Sequence, residues 1–244
     1  MSIPHCRANP TTITPKGSAV TTHISTPTPS VTGHIFNGAT GTVETGQSLY
    51  EIYGNLESVD ATLYSGATQF AAGWYMVNDN AATTCGAGGN LIQVGWAQTS
   101  FNNPNSPEVF EFDSVNCTWE WFSQYGIGND SLVPYAVADP TDTDSWSTYI
   151  YWNDEWNLLT TETMPWASPP YVEQQLEVYN SSASVADPSV PQQENTATEV
   201  FIGGGFEYWT SSTALDTAVF DESPYCVNFY SEYYNWAVGN TCDA

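Results

Sequence analysis

Basic residues are almost absent from this chain of 244 residues, which has two Lys or Arg against 27 Asp or Glu. Both bases, Arg7 and Lys16, lie near the start, so the rest of the chain contains no strong cation. A protein needs Lys or Arg to displace the counterions of phosphate groups. Nucleic acid is therefore excluded as a partner, and an anionic membrane surface is excluded for the same reason.

The excess of acidic residues gives a formal net charge of −25, which costs self-repulsion at neutral pH. Acid relieves that repulsion as carboxylates become protonated, so the composition suits an acidic medium. Halophilic adaptation is the competing explanation. It is disfavoured because charged residues make up only 12% of the chain.

Long apolar runs are also missing, so no segment is expected to span a bilayer. The first ten residues, "MSIPHCRANP", lack the apolar stretch of a signal peptide. Secretion is expected on other grounds, namely three glycosylation triplets at Asn116, Asn129 and Asn180. Together with the acidity and the scarcity of lysine, these predict a secreted, extracellular glycoprotein.

Histidine is scarce, and His5, His23 and His34 all lie in or next to the N-terminal segment. We therefore expect no histidine inside the folded body to act as a base, which disfavours Ser-His-Asp and Cys-His enzymes. Zinc is disfavoured because no CxxC or His-paired cysteine spacing occurs. The acidic loop "DPTDTD" at 139–144 lacks the EF-hand calcium pattern. The sequence thus predicts neither a metal nor a cofactor.

The chain has five cysteines. Cys226 and Cys242 bracket a short aromatic segment that a disulfide could close. Cys85 and Cys117 bracket another segment, and Cys6 is left over.

Two regions of the chain differ in amino-acid composition. Residues 1–32 are rich in Thr, Pro and Ser, which predicts an extended arm or linker. Residues 33–244 contain short β-rich runs separated by turn residues, which predicts a single β-sandwich or barrel domain.

"YWNDEWNL" predicts a tight hairpin turning at Asn153 and Asp154. "YVEQQLEVY" is read as a strand, with Glu173, Gln175 and Glu177 on one face. Its other face holds Val172, Gln174, Leu176 and Val178.

The stretch "NLIQVGWAQ" at 90–98 alternates with the period of a strand. Ile92, Val94 and Trp96 form its bulky face, whereas Gln93 and Gly95 lie on the other. A glycine beside a polar residue in a strand often marks a close approach. We therefore expect another group to lie near Gln93.

Carboxylate and amide chemistry remains available for hydrolysis. Burial among aromatic rings would raise the pKa of Glu177 or Glu111 toward a useful value for acid–base catalysis. A neutral amide such as Gln93 can hold a water molecule and a developing oxyanion without titrating in acid.

The segment "GWYMVNDNAATTCGAGGNLIQVGWAQ" resembles the part of the eqolisins, the fungal glutamic peptidases, that carries their catalytic glutamine. "PEVFEFDSV" and "YVEQQLEVY" are similar to the next aromatic strand and to the Glu-x-x-x-Glu strand of that family. "IQVGW" also resembles a stretch of the neprosin-type glutamic peptidases. The resemblance implies an all-β fold, an antiparallel double-sheet β-sandwich of the concanavalin or jelly-roll type, with a groove on its concave face. It also implies secretion into acid.

Carried over position by position, the resemblance implies that Gln93 and Glu177 are catalytic and that Trp74 and Glu111 line the groove. Exposed aromatic side chains such as Trp74 would then bind the substrate. The chain departs from the family pattern at Asn78 and near Ala97, where the family has aspartates. The cysteine that precedes the family's glutamate strand is missing, so Cys85 cannot form the usual bridge.

The sequence thus predicts a secreted, acid-active glutamic endopeptidase that acts on polypeptides. Its alternative is a non-catalytic secreted sandwich that binds carbohydrate or assembles into an extracellular structure. In the alternative, the Thr/Pro arm would mediate self-association and Cys6 could bridge to a neighbouring subunit.

Overall fold

The computed structural model describes residues 33–79, 89–139, 143–166 and 170–242, and within these ranges the chain forms fifteen strands and one short 3-10 helix at Ser123–Tyr125. The strands form two antiparallel sheets that pack face to face. The predicted all-β, double-sheet sandwich is confirmed. The predicted arm, with Cys6, His5 and His23, lies outside the described residues.

The first sheet has seven strands, and it carries the candidate site described below. In spatial order they are β13 (Leu215–Asp221), β1 (Gly33–Val43), β10 (Tyr171–Asn180), β3 (Gln69–Asn78), β4 (Leu91–Thr99), β5 (Glu108–Asp113) and β6 (Thr118–Trp121). Sequence neighbours β3 to β6 are joined as a meander, whereas β1, β10 and β13 come from distant parts of the chain.

The second sheet has eight strands. Seven follow one another in the order β14 (Cys226–Ser231), β15 (Asn235–Gly239), β11 (Gln193–Ile202), β2 (Leu49–Ser58), β7 (Ser131–Ala138), β8 (Ser145–Trp152) and β9 (Glu155–Thr163). The eighth strand, β12 (Gly205–Tyr208), pairs with β11.

The main core fills the space between the two sheets. Ile92, Val94 and Trp96 of β4 all lie in it and are inaccessible to solvent, as the alternation in "NLIQVGWAQ" predicts. Burial of each such side chain stabilises the fold by roughly 1.5–3 kcal/mol. The indole Nε1 of Trp96 donates a hydrogen bond to Oε1 of Gln193 in the second sheet, so this large side chain buries no unpaired polar atom.

Two local predictions are confirmed by the strand pairing. Trp152 pairs with Glu155, and Asn153 and Asp154 between them have φ values of 53° and 64°. Positive φ at both central residues is the requirement of a type I′ hairpin turn. The segment "YVEQQLEVY" forms β10, which pairs with β1 on one side and β3 on the other.

One predicted disulfide is present between Cys226 and Cys242, whose Cα atoms lie 5.9 Å apart. It links β14 to the segment that follows β15. Cys117 is also disulfide-bonded. Cys85 lies outside the described residues, so its pairing stays a prediction. No helix among the described residues has the length and apolar character needed to cross a bilayer.

Candidate active site

The outer face of the first sheet holds an open groove with a volume of about 660 Å³. Its floor is aromatic and apolar, and a separate apolar cluster underlies it, formed by side chains that face away from the main core. The floor includes Phe36, Phe70, Trp74, Met76, Phe112 and Trp119, and the polar groups that open into the groove include His34, Gln93, Glu173, Gln175, Glu177 and Glu222. A groove of this kind can bind an extended apolar chain and present polar groups to it.

Gln93 lies on the groove face of β4 and is 6% exposed. Among the described residues, no side chain is hydrogen-bonded to its amide. Two residues further along the strand, a Cβ on Gly95 would lie 2.0 Å from the backbone oxygen of Gly73. The close approach predicted from this glycine is therefore that of the neighbouring strand β3, which must pack directly against β4 beside Gln93.

Glu177 lies in the same groove, and both of its carboxylate oxygens have donors. The indole Nε1 of Trp74 donates to Oε2 over 3.2 Å. The imidazole Nδ1 of His34 lies 2.5 Å from Oε1. Glu177 faces the groove because β10 alternates: Leu176 and Val178, its neighbours in the chain, are buried in the main core.

His34 is a site residue that the sequence did not predict. It is the second residue of β1. Its ring lies 4.6 Å from the ring of Tyr179 and 5.9 Å from that of Phe70. The hydrogen bond to Glu177 raises the pKa of His34, against an opposing contribution from burial. The expectation that no histidine lies within the folded body is therefore wrong. The alternation of His34 and Phe36 with Ile35 in "GHIFNG" is a strand signal that could have placed it.

Glu173 is a second groove carboxyl group, and burial raises its pKa to about 7. The side-chain Nε2 of Gln175 donates to it over 2.6 Å. Glu173 pairs with Met76, and Met76 pairs with Gln93, so all three lie in one row across β10, β3 and β4.

This register brings Gln93 closer to Glu173 than to Glu177. With strands ~4.8 Å apart, the Cα atoms of Gln93 and Glu173 are separated by about 10 Å. Glu177 lies four residues further along β10, which adds roughly 13 Å in the strand direction. Glu177 and Gln93 therefore face the same groove from different rows, with the side chain of Trp74 bonded to Glu177.

The structure does not bring Glu111 to the groove. Glu111 pairs with Val94, a core residue of β4, and its side chain points between the sheets with no exposed surface. Neither carboxylate oxygen has a hydrogen bond of good geometry, although the Thr160 hydroxyl lies near enough to oppose the shift slightly. Burial raises the pKa of Glu111 to about 9. The prediction that Glu111 lines the groove is therefore wrong, because its side chain lies between the sheets and Phe112, on the other face of β5, lines the groove instead.

Trp74 does line the groove, yet it is 1% exposed rather than an open aromatic surface. Its indole forms part of the floor and positions Glu177 through the hydrogen bond described above.

The predicted glycosylation residues differ in accessibility. Asn116 and Asn129 are exposed at the surface. Asn180 is 1% exposed, and its side-chain nitrogen donates to the backbone oxygen of Val185 and to Asp187. The folded chain does not offer Asn180 as a glycan acceptor, because that nitrogen is buried and already bonded.

The sequence matches no family model and no curated protein. The solved structures that share the fold include two peptidases. One is SCP-B, a member of the eqolisin family of peptidases in a complex with the tripeptide Ala-Ile-His, with a TM-score of 0.55 and 12% identity. The other is scytalido-glutamic peptidase with a transition state analog inhibitor, with a TM-score of 0.54 and 13% identity. Each match covers 85% of this chain and 98% of the other. The protein described here therefore has an eqolisin-type fold.

Proposed function

We propose that the protein is a secreted, acid-active glutamic endopeptidase that hydrolyses peptide bonds in the groove of the first sheet. The observation that carries the proposal is that Gln93 and Glu177 open into one groove of an eqolisin-type fold. The neighbouring structures hold a tripeptide and a transition state analog inhibitor. A polypeptide is accordingly the substrate class that we assign to the groove.

In the proposed reaction, ionised Glu177 takes a proton from a water molecule as the water oxygen attacks the scissile carbonyl carbon. Gln93 lies two groove-facing positions away from Glu177 along the strands, so its side-chain N–H is assigned to a carbonyl oxygen of the bound peptide rather than to that water. Protonated Glu177 then gives its proton to the leaving amine as the carbon–nitrogen bond breaks. The steps balance without a cofactor or a covalent intermediate.

The surroundings of Glu177 support its role as the base. Trp74 and His34 both donate toward its carboxylate and hold it in one orientation within the groove. The side chain is 11% exposed, so one water molecule can reach it while bulk solvent is largely excluded.

Secretion belongs to the same proposal. A disulfide between Cys226 and Cys242 suits an oxidising compartment. Glu111 and Glu173 also favour acid, because both are buried carboxyl groups that are easier to keep in the folded chain when protonated.

A second candidate is a non-catalytic, carbohydrate-binding sandwich, and a specific surface favours it. On the outer face of the second sheet, the ring of Tyr53 lies 6.4 Å from that of Trp156 and 5.7 Å from that of Phe206. Such a row of aromatic side chains suits stacking against sugar rings. Retention on a polysaccharide column without peptide cleavage would support this candidate, and polymerisation seen by light scattering would support its structural version.

Digestion of an unfolded protein at pH 3 to 4 tests the proposed function. Wild type is compared with Gln93→Ala, Glu177→Gln and Glu173→Gln, and with Glu207→Gln as a matched control on the exposed strand β12. We expect the first two variants to lose activity and the control to keep it. Cleavage that survives both Gln93→Ala and Glu177→Gln would contradict the mechanism. Failure of folded wild type to cleave across acid pH would favour the second candidate.

A further inference from the structure

His34 contacts the proposed base directly, and its position is fixed by the sheet. It pairs with Tyr179 across β1 and β10, which places the imidazole beside Glu177 two residues along β10. The ring of Phe36 stacks on it with the planes 8° apart, at 6.0 Å between centroids, and Tyr179 and Phe70 pack against it. The imidazole is thus held by three aromatic rings with Nδ1 directed at Oε1 of Glu177.

The two donors to Glu177 leave room for a water molecule. His34 bonds Oε1 and Trp74 bonds Oε2, so each carboxylate oxygen has one donor and keeps acceptor capacity. A carboxylate held at both oxygens cannot rotate freely. Its remaining lone pairs therefore point in fixed directions within the groove.

The groups that face His34 are acidic or neutral. They are Glu177 and Tyr179 from β10, and Glu222, which follows β13 and accepts a hydrogen bond from the backbone N–H of Phe36. Glu173 lies further along the same groove, and β3 contributes the uncharged rings of Phe70 and Trp74. Since the only Lys and Arg of the chain are at positions 7 and 16, His34 is the sole cationic side chain available among the described groove residues.

We propose that His34 is a positioning residue for the hydrolysis: its protonated imidazole forms an ion pair with Glu177 and orients that carboxylate toward the water. The inference rests on the proposed function, and it adds a requirement that the Gln93–Glu177 pair alone does not have. Glu177 must be ionised, and His34 must be protonated. Loss of the proton from His34 therefore sets the upper pH limit of full activity.

The direction of this pH dependence follows from the pairing of His34 with Glu177. The contact with Glu177 raises the pKa of His34 above its ordinary value of 6.5, so the imidazole stays protonated throughout the acid range. As the pH rises through that raised value, the ion pair loses its positive partner and only a neutral hydrogen bond remains. Activity should fall over the same interval.

Two variants of His34 separate the effect of its charge from that of its hydrogen bond. His34→Ala removes both, whereas His34→Asn keeps a neutral N–H donor near the position of Nδ1. The control is Glu207→Gln, on the exposed strand β12. Thermal melts establish that each variant is folded, and kcat/KM is then measured against pH with one peptide.

We expect His34→Ala to lower kcat/KM in acid by roughly tenfold or more, because a charge-assisted hydrogen bond is lost. His34→Asn should recover most of the activity in acid and should lack the fall that wild type shows at the upper limit. Profiles of His34→Ala and wild type that coincide at every pH would overturn the proposal.

An NMR titration of the His34 imidazole gives a readout that does not require activity. The signal is assigned from its loss in His34→Ala, and it is followed in wild type and in Glu177→Gln. We expect the imidazole to titrate at lower pH in Glu177→Gln, and equal midpoints would overturn the ion pair. A wild type that cleaves nothing would contradict the proposed function, and the titration would still decide whether His34 pairs with Glu177.

Discussion

The indole Nε1 of Trp74 on β3 donates a 3.2 Å hydrogen bond to Oε2 of Glu177 on the neighbouring strand β10. The residue paired with Glu177 across these strands is Ala72, so the bond runs diagonally to the next groove-facing position of β3. Ala72 leaves space above it for the carboxylate and the indole to meet. A small residue on one strand thus allows two larger side chains to form the site.

Trp74→Phe removes this donor and keeps an aromatic ring in the groove floor. We expect kcat to fall by roughly tenfold to a hundredfold, since a hydrogen bond to a charged group contributes about 1.5–3 kcal/mol. Steady-state kinetics at pH 4 measure the effect, with the melting temperature as the check on folding. An unchanged kcat in a folded variant would show that the bond does not serve catalysis.

Glu173→Gln distinguishes the two groove carboxyl groups. Because burial raises the pKa of Glu173 to about 7, wild-type Glu173 is already neutral at pH 4, and glutamine imitates that state. We expect kcat/KM at pH 4 to change less than about threefold. The measurement is the ratio of kcat/KM values across pH. Abolished cleavage at pH 4 would instead assign Glu173, which shares a row with Gln93, as the essential acid.

Glu111 makes stability depend on pH. Its pKa is raised from 4.5 to about 9 in the folded chain, so the folded state binds a proton that the unfolded state releases above pH 4.5. The free energy of unfolding is therefore highest below pH 4.5 and falls as the pH rises toward 9. At pH 7 the loss from this one group is about 3 kcal/mol.

Glu111→Gln should raise stability at pH 7 and change it little at pH 4, because glutamine has the shape of the protonated acid and does not ionise. Chemical denaturation at both pH values measures the difference, and Glu207→Gln is the surface control. A gain that is equal at the two pH values would contradict the buried-acid explanation.

Gly95→Ala tests the close contact beneath the site. The new methyl group would lie 2.0 Å from the backbone oxygen of Gly73, so β3 and β4 must separate. Overpacking of this kind typically lowers the free energy of unfolding by about 1–3 kcal/mol. The atoms that the methyl group would meet are backbone atoms of β3, which cannot move aside as a flexible side chain could. We expect a lower melting temperature and reduced activity together. Ala97→Gly, also on the groove face of β4, is the matched change without a clash.

Substrate charge should affect cleavage. The carboxylates of Glu177 and Glu222 open into the groove, whereas Glu173, with its pKa raised to about 7, is protonated at pH 5. Peptides with Lys or Arg near the scissile bond should be cleaved several-fold faster than matched peptides with Asp or Glu at pH 5. Added salt should shrink the difference through screening. Equal rates at low salt would show that the groove carboxylates do not contact the flanking side chains.

Period-two patterns predicted β4 and β10 correctly, because the two faces of each strand meet different surroundings. The same patterns could not tell which face of a strand meets the core. In "EVFEFD" the sequence separates Glu111 from Phe110 and Phe112, and the usual rule buries the aromatic face. Here both faces are covered: the carboxyl group of Glu111 lies between the sheets, whereas Phe110 and Phe112 belong to the apolar cluster beneath the groove.

The sequence could not predict which residues lie side by side across the sheet, for a different reason. The register between β10 and β3 depends on the pairing of segments about a hundred residues apart, and no local signal fixes it. The proximity of Gln93 to Glu173 follows from the pairing of β10 with β3 and of β3 with β4, and that of His34 to Glu177 from the pairing of β1 with β10. The disulfide between Cys226 and Cys242 was predictable because its two cysteines are close in sequence.

Strand β10 serves two purposes at once. Glu173, Gln175 and Glu177 face the groove, while Gln174 lies between the sheets and is bonded to Thr198 and to the backbone of Tyr233. A single residue inserted or deleted within this strand would exchange its two faces. The glutamates would then enter the apolar core and the valines would face the groove. We therefore expect the length of this strand to tolerate no change, even at positions where a substitution is tolerated.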